Sequence, residues 1–408
     1  MVPEGFSKVP IGELVERVAR PVHVEPDEHY FQIGIRSHGK GLFDKEPVSG
    51  TALGNKRVFW VEPDCFVVNI VFAWEQAVGK TTANDIGKIA SHRFPMYRPK
   101  PGHCDLDFLT YLFRTKYGKH VLTLASPGGA GRNKTLGQAE FVRSEIVVPP
   151  CEEQKKIAEI LMTWDRAIET VENLIANSQA QKTALIQELL IKSPTDSLKL
   201  NSDPKVTSLG DVANIIISNV DKKSVDSEPQ IRLCNYTDVY AHDTIISSLP
   251  FMKSTATSDQ VKKFSLKIGD VLITKDSERP DDIAVPTYVA ETAPDLVCGY
   301  HLAIIRPDAN TCGRYLKFYF ENQHTRNYFA SRANGATRFG LTTGSIANAP
   351  IALPTKPEQE KIADVIHTTE LQTENFQNTL VALKTEKAAL MQQLLTGKRR
   401  VKLREKTA

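Results

Sequence analysis

Two glycine-bearing segments carry side chains suited to contacting nucleic acid. Arg132-Asn133-Lys134 follows the glycine run Gly128-Gly129-Ala130-Gly131, and Arg332, Asn334 and Arg338 surround Gly335. Arginine and lysine reach the O6 and N7 edge of guanine, and asparagine pairs with the edge of adenine. The same cations also hold phosphates, which position a protein without reading sequence. Lys40, Arg57 and Lys80 in the N-terminal part and Lys275 in the C-terminal part are further candidates of this kind. For any one of these residues a solvated surface charge is an equally good account. The loops as groups are the stronger candidates.

Catalytic patterns fare worse. A DNA methyltransferase needs a cofactor loop and an Asn-Pro-Pro-aromatic signature, whereas Val148-Pro149-Pro150-Cys151 has neither the asparagine nor the aromatic. Gly79-Lys80-Thr81 resembles the end of a phosphate loop, but Trp74 stands where its first glycine is required. Gly128 to Gly131 do not follow a clear strand, and a turn near phosphate suits them better. Pro63-Asp64 and Pro280-Asp281-Asp282 lack the nearby Glu-x-Lys of a metal-dependent nuclease and read as solvated turns. The ten histidines show no paired metal spacing. His92 and His301 precede Arg98-Pro99 and Arg306-Pro307, where a structural role at a strand is the simpler reading.

The scaffold that must position these side chains is written twice. At an offset of 205 residues, Glu153-Gln154 falls on Glu358-Gln359 and Lys156-Ile157-Ala158 on Lys361-Ile362-Ala363. The match continues without a gap to Leu189-Leu190 on Leu394-Leu395. Upstream it weakens, to Ile146 and Pro149 on Ile351 and Pro354, and to Ile11-Gly12-Glu13-Leu14 beside Leu209-Gly210-Asp211-Val212. The chain is thus two copies of one unit, a variable globular part followed by a long helix.

Both helices show heptad spacing. Ile157, Leu161, Trp164, Ile168, Val171, Ile175, Ser178, Lys182, Leu185 and Leu189 step by four and three. Ile362, Ile366, Thr369, Thr373, Phe376, Leu380, Leu383, Lys387, Leu390 and Leu394 repeat the pattern. Prolines precede each helix, and Gly397 ends the second. Two such helices in one chain are expected to pair antiparallel and hold the globular parts apart. At ~1.5 Å per residue each reaches roughly 60 Å. Polar seam residues Lys182, Thr369, Thr373 and Lys387 favour fixed register over maximal stability. In the globular parts, 66–72 and 270–274 read as strands, and 108–113 and 315–320 as aromatic-rich core helices.

Bulk properties leave any DNA contact to local basic clusters and suit a cytoplasmic protein. Net charge is +3, and setting aside the six basic residues and one acid of 398–408 leaves 45 basic and 47 acidic. A uniformly cationic coat is therefore excluded. The basic tail reads equally as a solvated terminus or a phosphate contact. The six cysteines have no Cys-x-x-Cys spacing and suit reduced thiols. No signal peptide and no membrane span are expected.

The strings 153–161 (Glu-Gln-Lys-Lys-Ile-Ala-Glu-Ile-Leu) and 395–400 (Leu-Thr-Gly-Lys-Arg-Arg) resemble conserved segments of type I restriction-modification specificity subunits. Phe72-Ala73-Trp74-Glu75 and Gly34 to Gly41 resemble one subtype of the family's first domain. The resemblance covers nearly the whole chain and implies an α+β fold. Two mixed α/β target-recognition domains would be separated by two long antiparallel coiled-coil helices in a pseudo-two-fold repeat. The expected boundaries are recognition domains at 1–150 and 193–355, helices at 151–192 and 356–397, a linker at 193–204 and a basic tail at 398–408.

The function so implied is non-catalytic. Each domain would read half of a split, asymmetric target in double-stranded DNA. The helices would dock two methyltransferase subunits for adenine N6 methylation, and restriction subunits would complete the complex. S-adenosylmethionine, ATP and magnesium would belong to those partners, leaving this chain no cofactor of its own. The alternative is a coiled-coil scaffold without DNA reading, against which weigh the basic groups on two matching glycine loops, Gly129-Ala130-x-Arg132 and Gly335-Ala336-x-Arg338, one residue out of step. A fused enzyme is disfavoured by the missing cofactor and metal motifs.

Overall fold

The computed structural model describes residues 2–128, 134–190 and 205–403. The expected linker at 193–204, the candidates Arg132 and Asn133, and the tail from Arg404 lie outside the described residues. Two compact units divide the chain, residues 1–171 with 378–408 and residues 172–377, so each unit owns one half of each long helix.

Both units fold on one plan. In the first, Ser7–Pro10 pairs antiparallel with Glu145–Val148. A sheet follows in the order Val15–Val18, Met96–Pro99, Phe66–Val68, Val78–Lys80. In the second, Lys205–Ser208 pairs with Pro350–Leu353. There Ala213–Ile217, Leu302–Pro307, Val271–Thr274 and Pro286–Val289 keep that order, with Thr244–Ile245 added at the edge. Arg98-Pro99 and Arg306-Pro307 occupy matching register, Val15 facing Pro99 and Ala213 facing Pro307. The weak upstream sequence match therefore marks a structural equivalence.

The aromatic-rich helices run Leu106–Phe113 and Gly313–Glu321, and they bury Phe108, Phe113, Phe318 and Phe320. The strand expected at 66–72 stops at Val68. Buried Asn69 turns the chain by accepting the Val71 N–H at 3.1 Å, which competes with the sheet ladder. What differs between the units is the second sheet. The first unit adds Arg20–Pro21, Val58–Trp60, Ile89–Ser91, His29–Ile35 and Leu42–Ser49; the second adds Met252–Thr255, Gln230–Cys234 and Leu296–Cys298.

The long helices, Cys151–Leu190 and Lys356–Leu395, run antiparallel. In the first unit Ile157 and Leu161 share a core with Leu394 and Leu395; in the second, Ile186 and Leu189 share one with Ile362 and Ile366. Every seam position named above is buried or half-buried. Burying one such Leu or Ile contributes about 1.5–3 kcal/mol. The helix starts are clamped identically. Buried Gln154 accepts the Asp105 N–H at 2.9 Å and donates to the carbonyls of Pro149 and His103. Gln359 accepts the Cys312 N–H at 2.8 Å and donates to those of Pro354 and Asn310.

Polar seam residues set the register. Lys182 of the first helix bonds Glu370 of the second at 2.5 Å, and Lys387 of the second bonds Asp165 of the first. These are one interaction seen twice, since both members are related by the 205-residue offset. The layers beside them differ. Ser178 bonds the Thr373 hydroxyl at 2.7 Å, whereas the repeat-equivalent positions in the first unit are apolar, Leu383 and Ile168. In the second unit Lys317, with 1% of its side chain exposed, also bonds Glu370 and Glu321.

Gly397, at φ +69°, turns the chain beyond the second helix, and a Cβ there would press on Pro3. The turn lets Arg400 bond Glu153 and the carbonyl of Glu4, so this part of the basic tail is a structural latch. All six cysteines are unpaired. Burial pushes the Cys65 thiol up to about 11 and Cys104 to about 12.

Breaking a buried ion pair on one side costs about 3–5 kcal/mol. Lys317→Leu is accordingly expected to lower stability by that order in denaturant unfolding; an unchanged midpoint would show that Lys182 alone balances both carboxylates. A pH profile tests the same cluster. Burial alone would raise the Glu370 carboxyl, but Lys317 and Lys182 hold it below its ordinary 4.5. Burial would likewise lower Lys182, yet Glu321 and Glu370 raise it above 10.5. The Glu370 contribution is whole above 4.5 and is lost as pH falls through the depressed value; that of Lys182 is whole below 10.5 and lost as pH rises through the raised one. The Tm gap between wild type and Glu370→Gln should therefore close on acidification.

Candidate nucleic-acid interface

In the first unit the glycine-rich stretch 34–41 turns between the strands His29–Ile35 and Leu42–Ser49. His38, Gly39 and Gly41 all have positive φ, and Gly39 rests on the stem of Arg114, with no room there for a Cβ. The turn is bonded to the other motif of this domain. The Ser37 hydroxyl donates to the Glu75 carboxylate at 3.0 Å, and the His38 and Gly39 N–H groups donate to the carbonyls of Glu75 and Gln76. The two sequence motifs thus form one surface. Beside it lies a hollow of about 380 Å³ lined by Ser37, Lys45, Asn69, Phe72 and Glu75.

The sequence candidates of this unit have unlike environments. Lys40 is exposed on the turn, and Arg57 is exposed on the loop after the helix Gly50–Leu53. Lys134 is half-buried, its ammonium 5.8 Å from the centre of the Trp74 ring, which brings it to the same region as the Phe72–Glu75 motif. Lys80 is tied to Asp107 and acts as a strut between a strand and the helix Leu106–Phe113. It is not a free cation.

In the second unit the loop containing Arg332, Asn334 and Arg338 is the end of a two-stranded ribbon, Asp276–Ser277 against Phe339–Gly340. Asn334 and Gly340 exchange both backbone hydrogen bonds, closing the loop. Gly335 sits at φ +146°, and a Cβ on it would lie 1.9 Å from the Arg338 carbonyl. Asn334 and Arg338 are exposed, while Arg332 lies 3.7 Å from the centre of its neighbour Tyr328's ring. Lys275 is largely buried and bonds Asp276 at 2.6 Å, so it braces the ribbon from behind.

The ribbon borders a cleft of about 470 Å³, whose lining includes Lys222, Tyr236, Tyr240, Glu278, His301 and Arg338. His301 Nδ1 lies 2.9 Å from Asp276, and its ring meets those of Tyr236 and Tyr300 edge-on. This fixes its orientation and gives it the structural role expected of a residue leading into a strand. The Tyr240 hydroxyl donates to the Asp282 carbonyl at 2.9 Å, and burial with the nearby Asp282 charge raises its pKa. Tyr236, Glu278 and the ribbon itself were not singled out by sequence. They come together through strand pairing across some 60 residues, which leaves no local signal.

Carboxylates near enough to share a cation occur at Asp243, Glu321 and Glu370 among the described residues. Lys182 and Lys317 already form ion pairs with all three. No helix among the described residues is long and apolar enough to cross a membrane.

A frame built twice, carrying unlike surfaces of cationic, aromatic and amide groups, defines a recognition protein made of two related units. A family model described as the type I restriction modification DNA specificity domain matches residues 63–177 and 201–385, and the chain belongs to that family. It is the specificity subunit, a non-catalytic component of type I systems. A relative in Methanocaldococcus jannaschii, named as the MjaX type I restriction enzyme specificity subunit, is 22% identical over 324 residues, covering 75% of this chain and 71% of that one. The fold is shared with solved specificity subunits. That of M. genitalium aligns with a TM-score of 0.58 at 14% identity, over 97% of this chain and 99% of its own. The HsdS subunit of Thermoanaerobacter tengcongensis aligns with a TM-score of 0.50 at 16% identity, over 98% of each chain.

Strain at a position that needs positive φ costs about 1–3 kcal/mol. Gly335→Ala should therefore open the ribbon end and lower stability by that order. Faster amide exchange at Asn334 and Gly340 would report the opening, and unchanged protection there would refute it.

Proposed function

We propose that this subunit reads a split, asymmetric target in double-stranded DNA, one half with each unit, and delivers it to partner methyltransferase and restriction subunits. The observation that carries this reading is the contrast between frame and face. The Gln154 and Gln359 clamps and the paired Lys–carboxylate bonds are the same in both units. The turn bearing Lys40 and the Trp74–Lys134 contact differ from the ribbon-bordered cleft beside Arg338 in residues and in shape. Equal frames suit common partners, and unequal faces suit unequal half-sites.

Half-sites on one face of DNA recur about every 34–36 Å, so a rigid spacer between readers sets which split targets fit. Base edges would be read by Arg338, Asn334 and the loop at 132–134. Lys40 and Arg57 would contact phosphates, and Arg332 either. The two long helices would dock two methyltransferase subunits. Adenine N6 methylation, with its S-adenosylmethionine, and restriction, with its ATP and magnesium, belong to those partners, and the complex works in the cytoplasm.

Methylome sequencing of cells carrying this chain with its methyltransferase partner tests the reading. The expected result is a split motif with N6-methyladenine on both strands that disappears when this chain is deleted. An active methyltransferase whose motifs are unchanged by the deletion would leave the chain as a protein-binding scaffold only.

A further inference from the structure

Glu278 and Arg338 both line the cleft of the second unit and both are exposed. Asp276 faces Gly340 and Ser277 faces Phe339 in the antiparallel ribbon. Glu278 follows Ser277 and Arg338 precedes Phe339, so the two residues flank the last pair of the ribbon. Neighbouring strands lie about 4.7–4.9 Å apart, so both residues leave the ribbon end at one cleft, which both line. Neither makes an ion pair or a hydrogen bond among the described residues. The other carboxylates of the cleft are engaged, Asp276 by Lys275 and His301, Asp282 by Tyr240.

A phosphate cradle would not place a free carboxylate beside its arginine, because the carboxylate repels the phosphate. The edge of a base pair in the major groove has the opposite requirement. A G·C pair presents two acceptors on guanine beside an amino donor on cytosine, and arginine and glutamate match them. The major groove also admits a two-stranded ribbon. We infer that Arg338 and Glu278 together read one G·C base pair in the half-site of the second unit, Arg338 donating to guanine O6 and N7 and Glu278 accepting from the cytosine amine. This rests on the DNA-reading function proposed above and adds its chemistry at one position.

The test uses the complex with its methyltransferase subunits, binding a pool of duplexes randomised across both half-sites at two salt concentrations. Wild type should require G·C at one position that Arg338→Ala and Glu278→Ala both relax, by about tenfold or more. The rest of the motif, including the other half-site, should stay unchanged, which also certifies that the variants are folded. Glu278→Ala should in addition bind unrelated DNA more tightly. If Arg338→Ala weakens all duplexes alike and lowers the salt slope by about one, it is a phosphate contact and the inference falls. If neither variant alters any base preference while wild type selects a split motif, the inference alone is overturned. A wild-type complex that selects no motif overturns the DNA-reading function as well.

Discussion

The bond between a lysine on one long helix and a carboxylate on the other is the constraint on which much of this protein depends. It occurs as Lys182 with Glu370 and as Lys387 with Asp165, and all four groups lie on or beside a largely apolar seam. An apolar heptad seam tolerates slippage by a whole repeat at modest cost. A buried ammonium left without its carboxylate does not, because the desolvated charge costs several kcal/mol. The helices are thereby held in one antiparallel register. Each unit closes its core with the start of one helix and the end of the other.

That register matters because the globular cores extend into the seam. Ile157 and Leu161 belong to the same cluster as Phe108 and Phe141, and Ile362 and Ile366 to that of Phe318 and Phe329. The Gln154 and Gln359 clamps then tie each helix start to the loop before an aromatic helix. A shift of the helix would strip buried N–H and carbonyl groups of their partners, at about 1–3 kcal/mol for each. The second sheets and their turns are in this way carried on a support that resists deformation, and they are free to differ.

The two faces use different local chemistry. In the first unit a turn of three left-handed residues is pinned by Glu75 and presents Lys40 to solvent. In the second a short ribbon closed at Asn334 and Gly340 presents Arg338. Lysines that sequence places among the candidates divide accordingly. Lys80 and Lys275 are held by neighbouring carboxylates and stiffen the frame, whereas Lys40 remains in water. Composition cannot separate these cases, since a lysine's partner is often distant in sequence.

Read alone, the sequence determined the duplication, the two helices, their seam residues and the family, because each is a pattern of residue types at fixed spacing along the chain. Heptads and a gapless offset survive without knowledge of any contact. It also located the loop around Gly335, from its arginine, asparagine and glycine residues and their place in the repeat. Tertiary structure alone decided that Phe66 to Phe72 breaks at Asn69, that Arg400 is a latch to Glu153, and that Glu278 and Arg338 line one cleft. The physical reason is the same in each case. A side chain's role follows from what desolvates and neutralises it, and those neighbours are brought by strand register and helix pairing from tens or hundreds of residues away.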